Sequence, residues 1–545
     1  MNLTYFIRAA TVAAAVAISM GPAAAVASAQ ATLQLTLDEA VRRAVDNNPD
    51  LAVVRLARQV EAERVGETLA AFTPVFSQVL GRAGSAAPPS NFLLGERGVD
   101  TTDWFSSTGV RQRLARGAGI WSVSWDASRT TSNNPLSSFE PSLQSGLQIA
   151  FSQPLLKDRK MDAARQQTII AARNQKTSEL RFSESVVQTL AAVKQSYWTL
   201  KASLANVTVQ QRSLELAQDL VRENRARVEV GQAPPRDLVQ AEAEVAQRRE
   251  SLIRASAAAE DAEDRLRRFI MDPTDVSFWR VRLAPMDEAV GGAPLPDVDA
   301  VVARTLDRRY DLARARNDFE NARTNAAFFG EQKLPDVRLE ASYRGTGLGG
   351  TQLLRAGEFP GTVIGSRRTG FGDVLGQAFG RDYPTWSLGL TVSYSLGRSY
   401  EEAGHARAEI ERRQATHRIA SLELQAIEGI RQAARQVRST AERVDAARAG
   451  ETLAERRLDT EQRRFGAGLS TSFLVTQAQR DLLQAQVNLL QATLDHQSSL
   501  VSFEALQEAP PLSGGETTGQ AGSNAVQLPT PAPRGLFRPG AGASF

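Results

Sequence analysis

The chain has 545 residues, a formal net charge of +3 and no cysteine. A balance this close to neutrality leaves no electrostatic footprint for nucleic acid, and the Arg-rich stretches read as solvated helix faces. Without cysteine there is neither a disulfide framework nor an acceptor for lipid attachment, so stability has to come from packing.

Residues 1–29 have Arg8 ahead of an Ala/Val-rich run and end in Ala27-Ser28-Ala29, the pattern of a secretory signal peptide cut after Ala29. The run is too short to span a bilayer, and no later segment offers about 18 consecutive apolar residues. An exported chain with no transmembrane helix is expected.

An internal repeat organises the rest. LDEAVRRAVDNNPDL from Leu37 lies over VDAVVARTLDRRYDL from Val298 without a gap, so Asp50-Leu51 meets Asp311-Leu312 and, further on, Pro74 meets Pro335. SGLQIAFS (145–152) matches SLGLTVSYS (387–395), and RVEVGQAPPRDLVQAEAEV (227–245) matches RFGAGLSTSFLVTQAQRDL (464–482). The first repeat is read over 30–270 and the second over 298–508, joined by a Pro/Gly-rich linker at 271–297.

In each copy a first helix is predicted, over about 37–72 and about 298–333, followed by strands. Leu143, Ser145, Leu147, Ile149 and Phe151 alternate with small or polar residues, as do Trp386, Leu388, Leu390, Val392 and Tyr394. A soluble sandwich gives such alternation, and so does an outer-membrane barrel of strands about 9–11 residues long with an apolar exterior. Export without a lipid anchor favours the barrel, with Leu143, Leu147, Ile149, Phe151, Trp386, Leu388, Leu390, Val392 and Tyr394 facing outer-membrane lipid. Residues 85–142 are long for one extracellular loop and contain GIWSVSWDASRTTSNN, where Trp121, Val123 and Trp125 alternate with Ser122, Ser124 and Asp126. An additional hairpin and an extended first strand region both fit that stretch.

Long helices are predicted next, over about 157–230 and 397–465, with return helices over about 237–270 and 474–508. Val186, Leu190, Val193, Tyr197, Leu200 and Leu204 fall on alternating steps of three and four, a left-handed coiled-coil seam that resumes beyond the tip through Val245 and Arg248. At 1.5 Å per residue the first long helix spans roughly 110 Å. The first and return helices of each copy together nearly equal the long one, so they are expected to stack end to end beside it. Such a column far exceeds a hydrocarbon core of about 30 Å and must stand mostly in water. The tail from 509 to 545 is poor in large apolar residues and is expected to be disordered.

The two-copy layout, the opening LTLDEAVRRAVDNNPDL, the strand exits QPLL (153–156) and YSLGRS (394–399), and the tip patterns VEVGQAPPRDLVQAEAEV and FGAGLSTSFLVTQAQ together resemble the TolC family of outer-membrane efflux proteins. The resemblance covers about 36–508. It implies an α+β membrane protein with antiparallel transmembrane strands and long periplasmic coiled-coil hairpins. Three chains, each giving four strands and four helical columns, would build one twelve-stranded barrel continuous with an α-helical tunnel. The implied partners are two further copies in a homotrimer, a periplasmic adaptor, and an inner-membrane pump or ABC exporter. The implied function is a passive exit duct for small toxic molecules, or for proteins in type I secretion. Open strand edges are not tolerated in lipid, and oligomerisation into a closed ring removes them, which agrees with a trimer.

In that family the tips are where the mouth constricts and adaptors engage. Val228, Gly231, Asp237 and Leu238 of the first copy correspond to Phe465, Gly468, Leu474 and Val475 of the second. Gly231 and Gly468 suit the position after a helix that needs positive φ, and Asp237 suits a helix N-terminus. The best-known family member carries aspartates where this chain has Leu474 and Gln477, and a latching arginine where it has Ser470. An apolar and polar constriction is therefore expected at Leu474 and Gln477, with Asp237 the remaining acidic candidate for a ring around the pore.

No catalytic constellation, cofactor or metal site is expected. His405, His417 and His496 lack metal-ligand spacing, and the glycines of RGTGLGGTQ (344–352) read as a surface loop between strands because no phosphate-loop Lys follows. A secreted hydrolase would need an acid, base or nucleophile set that is missing. A pore-less periplasmic coiled-coil adaptor or scaffold would explain the heptads but not two sets of apolar-faced strands.

Overall fold

The computed structural model describes residues 32–88, 98–272, 274–288, 297–357, 361–397 and 399–511. The expected signal peptide, residues 289–296 of the linker and residues 512–545 of the tail lie outside the described residues.

The first repeat opens with strand β1 (Thr32–Leu35) and helix α1 (Leu37–Asn47). The helix predicted as one piece over 37–72 is broken at Asn48, where α2 (Pro49–Leu69) begins. A proline disfavours helical geometry in the residue before it. Asn48 is accordingly extended, and its side chain caps α2 by accepting from the Asp50 and Leu51 amides. The second copy breaks at the same place without a proline, between α5 (Val298–Arg308) and α6 (Tyr310–Gln332). There Arg309 is extended, and its buried guanidinium pairs with Asp311 at 2.8 Å.

The long helices α3 (Ala163–Glu229) and α8 (Tyr400–Gly466) have 67 residues each, about 100 Å of rise. The return helices are α4 (Pro235–Ile270) and α9 (Ser472–Leu506). Stacking occurs, although only α2 and α6 take part, because the breaks turn α1 and α5 out of line. The Asn47 and Asn48 side chains donate to the Ile270 and Phe269 carbonyls where α4 meets α2, and the Tyr310 amide donates to the Glu508 carbonyl where α9 meets α6. Each chain therefore supplies four columns: α2 with α4, α3, α6 with α9, and α8. Buried Ala255, Ala259 and Ala262 on α4, and Ala426 and Ala434 on α8, let these helices approach closely. The tail's first residues continue the packing, with Ala509 buried and the Pro510 carbonyl accepting from Gln188.

Part-way along α3 lies a belt that periodicity did not show. Strand β1 pairs in parallel with β6 (Arg282–Pro285), which lies inside the linker. Four-residue strands carry too little pattern to be read. Leu35, Tyr197, Leu200, Leu266 and Ile270 are fully or almost fully buried there. The Tyr197 hydroxyl donates to the Asp287 carboxylate at 2.5 Å and sits 3.0 Å from the Leu35 carbonyl. Burial, with the Asp287 hydrogen bond, pushes the Tyr197 pKa up to about 12, and the same bond lowers that of Asp287.

Above the columns is one antiparallel sheet of β2 (Val75–Ala87), β3 (Val99–Arg113), β4 (Ile120–Ser132), β5 (Phe139–Pro154) and β7 (Asp336–Ala356), in that order. On the far side of β7, β9 (Pro384–Ser393) pairs with its first half and β8 (Thr362–Thr369) with its last residues. Residues 85–142 thus hold an additional hairpin, β3–β4, and the sheet is six strands wide where the resemblance implies four. Trp121, Val123 and Trp125 stand opposite Phe151, Ile149 and Leu147, and Ile149 leads through Tyr343 to Trp386. Opposed residues share a face, so one face collects the apolar set. Ser122, Ser124 and Asp126 line the other with Gln148, Arg344 and Thr385.

RGTGLGGTQ is not a surface loop but the middle of β7. A helix, α7 (Phe371–Gly380), lies across its glycines with Val374 and Ala378 buried. A Cβ at Gly345 would collide with the Ala378 carbonyl, and one at Gly347 with the Val374 carbonyl. Glycine here permits backbone to meet backbone.

Candidate pore constriction at the helical tips

Both long helices end in the same turn. In the first copy the Gly231 amide donates to the Val228 carbonyl (3.0 Å) and the Gln232 amide to the Arg227 carbonyl (2.7 Å). In the second, Gly468 donates to Phe465 (3.0 Å) and Leu469 to Arg464 (2.8 Å). These are the paired bonds of a Schellman cap, and they place Gly231 at φ +73° and Gly468 at φ +75°, where a side chain is strained. The return helices start differently. Pro235 opens α4 with a fixed φ, whereas Thr471 caps α9 by accepting from the Leu474 amide.

The predicted tip residues separate into an exposed and a buried set. Leu474 is 43 % exposed, with Leu469 and Phe473 exposed beside it. Asp237 is half-buried in the first turn of α4, 3.6 Å from the Arg236 guanidinium. Val228 and Leu238 are half-buried. Gln477 donates to Asp481 at 2.8 Å, and Ser470 donates to Glu461 at 2.7 Å. Phe465 is buried and packs with Leu220, Leu458, Val475, Ala478 and Leu482, so it fills the space between hairpins and is not free to line a pore. Among the expected membrane-facing residues, Ile149, Trp386, Leu388, Leu390, Val392 and Tyr394 are exposed, while Leu143, Leu147 and Phe151 are partly covered by sheet neighbours.

Two links that sequence reasoning missed fasten one copy's hairpin to the other's. The Arg227 guanidinium lies 4.1 Å over the Phe465 ring and donates to the Phe465 carbonyl at 3.0 Å. Further from the tip, Glu244 on α4 accepts from Arg248 on the same helix and from Arg480 on α9. Arg248 also donates to Ser213 on α3 at 2.8 Å. Burial alone would raise the Glu244 pKa, but the hydrogen bonds and charges of Arg480 and Arg248 outweigh it and hold it below the ordinary carboxylate value. A signal was present in the sequence: Arg248 occupies a seam position, where a charge demands a buried partner.

The sequence matches the family described as outer membrane efflux protein over residues 111–270 and 301–507. The chain belongs to that family. Solved outer membrane channels share its fold. The CmeC outer membrane channel of Campylobacter jejuni is 15% identical, with 86% of this chain and 85% of that one covered at a TM-score of 0.62. VceC of Vibrio cholerae is 14% identical, with 87% and 96% covered at 0.60. The open-state MtrE channel of Neisseria gonorrhoeae is 16% identical, with 87% and 89% covered at 0.57. Compared by sequence with curated proteins, the chain matches none. Membership of the outer membrane efflux protein family places the sheet in the outer membrane and the helical columns in the periplasm. It makes the protein a passive channel with no catalytic cycle, and gives no support to the adaptor reading.

Proposed function

We propose that the protein is the homotrimeric exit duct of a tripartite efflux pump, carrying small toxic molecules from a periplasmic mouth to the cell exterior. The observation that carries this reading is the arrangement in one chain of a membrane sheet, columns of about 100 Å, and two matched reversals at the far end. The exposed apolar face bearing Trp386, Leu388 and Leu390 contacts lipid. Around the threefold axis Leu474 and Gln477 form the constriction, Asp237 adds a carboxylate ring that focuses cations, and the tips receive the periplasmic adaptor, which joins them to an inner-membrane pump.

Membrane fractionation and native mass measurement, followed by deletion of the gene, test this. An outer-membrane trimer whose loss sensitises cells to several unrelated toxic compounds supports the reading, and a soluble monomer overturns it. Unchanged sensitivity with loss of one secreted protein would assign the duct to type I secretion with an ABC exporter instead.

A further inference from the structure

We infer that three copies of this chain close a barrel of eighteen strands, wider than the twelve-stranded barrel that four strands per chain would give. The inference rests on the trimer reading above and concerns how its wall is built.

The β3–β4 hairpin is inserted between β2 and β5 as part of the wall. Its strands pair over their full length, from Val75 opposite Arg111 to Ile120 opposite Ser152. The side chains of β4 obey the alternation of the sheet around them, with Trp121, Val123 and Trp125 on the apolar face and Ser122, Ser124 and Asp126 on the polar one. On the less apolar outward side of β2 and β3, the polar groups satisfy one another: Gln78 bonds both Ser106 and Thr108. The lower turn rests on the columns. Arg113 reaches the buried Asp162 carboxylate that caps α3 (3.3 Å), and Gln153 donates to the Gly117 carbonyl (2.7 Å).

The two edges of the sheet are unfinished. Strand β2 pairs only with β3, and on the other side β9, with β8 beyond it along the same strand, pairs only with β7, among the described residues. All of β9 and nearly all of β2 are exposed. Unpaired backbone cannot stay in hydrocarbon. A second copy is the occupant that fits: β2 ascends from α2 and β9 descends to α8, so β9 of one copy meets β2 of the next antiparallel. Six strands per chain, an even number, preserve that sense at every junction.

Dimensions allow the wide barrel. With strands about 4.8 Å apart and tilted about 40°, eighteen close at a diameter of about 36 Å and twelve at about 24 Å. Three chains of four columns, at the usual 8–10 Å between helices, close at about 30–38 Å. A wall of six strands per chain at this tilt is compatible with the girth of the tunnel beneath it. The barrel then passes whatever the tunnel passes, and selection by size is left to the tips.

The test uses the full-length trimer, with its copy number fixed by native mass. Imaging along the threefold axis is expected to show eighteen strands, a wall about 1.5 times as wide as twelve would make. A trimer with twelve wall strands and the hairpin elsewhere overturns the inference and leaves the trimer intact. A copy number other than three removes the trimer reading itself. Because the chain has no cysteine, two single labels give an independent reading in bilayers. A spin label at Val123→Cys is expected to be relaxed by oxygen dissolved in lipid, while Ser124→Cys reacts with an impermeant thiol reagent from the lumen. Equal reaction of both with the impermeant reagent would take the hairpin out of the wall.

Discussion

The two repeats use the same backbone bonds at their tips and differ in almost everything laid over them. Arg227 and Arg464 occupy equivalent places, yet Arg227 covers Phe465 of the other copy while Arg464 pairs with Glu461 at the surface. Glu244 and Asp481 are likewise equivalent. Glu244 is buried between two arginines, and Asp481 takes a part-exposed partner, Arg457, on the neighbouring α8. At the membrane end the first copy has gained a hairpin and the second a short helix on a glycine strip. A duplicated fold thus keeps its turns, which depend on one residue at positive φ, and varies its packing, which depends on many.

Removing the shared buried link gives the largest expected effect. Glu244→Ala leaves Arg248 buried without its carboxylate and is expected to cost about 3–5 kcal/mol, read as a lower thermal midpoint with faster proteolysis at the tips; the equivalent Asp481→Ala should cost well under half of that. The pH dependence follows from the lowered Glu244 pKa. Its contribution is present above the usual carboxylate value of 4.5 and is lost as pH falls through the lower folded value. The stability gap between the parent and Glu244→Gln should therefore be widest at neutral pH and close below about pH 4.5.

Gly347→Ala should come next, at about 1–3 kcal/mol, because the new methyl forces α7 off β7. Faster amide exchange confined to 371–380 would confirm it, and unchanged exchange would mean that α7 does not need the strip. For the tips, Gly231→Ala and Gly468→Ala are each expected to cost about 1–2 kcal/mol through left-handed strain. Equal values would support matched turns, and a difference above about 1 kcal/mol would show that packing modifies one of them. Smallest in stability is Asp237→Ala, within about 0.5 kcal/mol. Its readout is single-channel recording, where weaker block by divalent cations is expected, and unchanged block removes Asp237 from the mouth.

What could be read from sequence divides along physical lines. The repeat, the seams and the capping glycines were legible because each rests on local spacing or on one backbone requirement. The break before α2 was signalled by Asn48-Pro49, but its twin at Arg309 depends on a buried pair with Asp311 that no local pattern announces. Strands β1 and β6 meet only in three dimensions. Glycines in β7 looked like loop because the helix that requires them, α7, comes only after β8 in the chain. At the tips, exposure of Leu474 followed from its place beyond the turn, whereas the burial of Phe465 depends in part on Leu220 and Arg227 of the other copy.

The belt around Tyr197 divides the α3 column into two mechanical parts. Above it α3 runs to the sheet, and at its level α1, β1 and β6 pack against α3. Below Leu200 about 29 residues of α3 run to the tip, a lever of about 44 Å. A rotation of about 10° at the belt moves the end of such a lever by about 8 Å. Clasps near the free end, such as Arg227 on Phe465 and Arg480 on Glu244, resist that rotation with the greatest leverage, so a few weak bonds there can hold a long hairpin still.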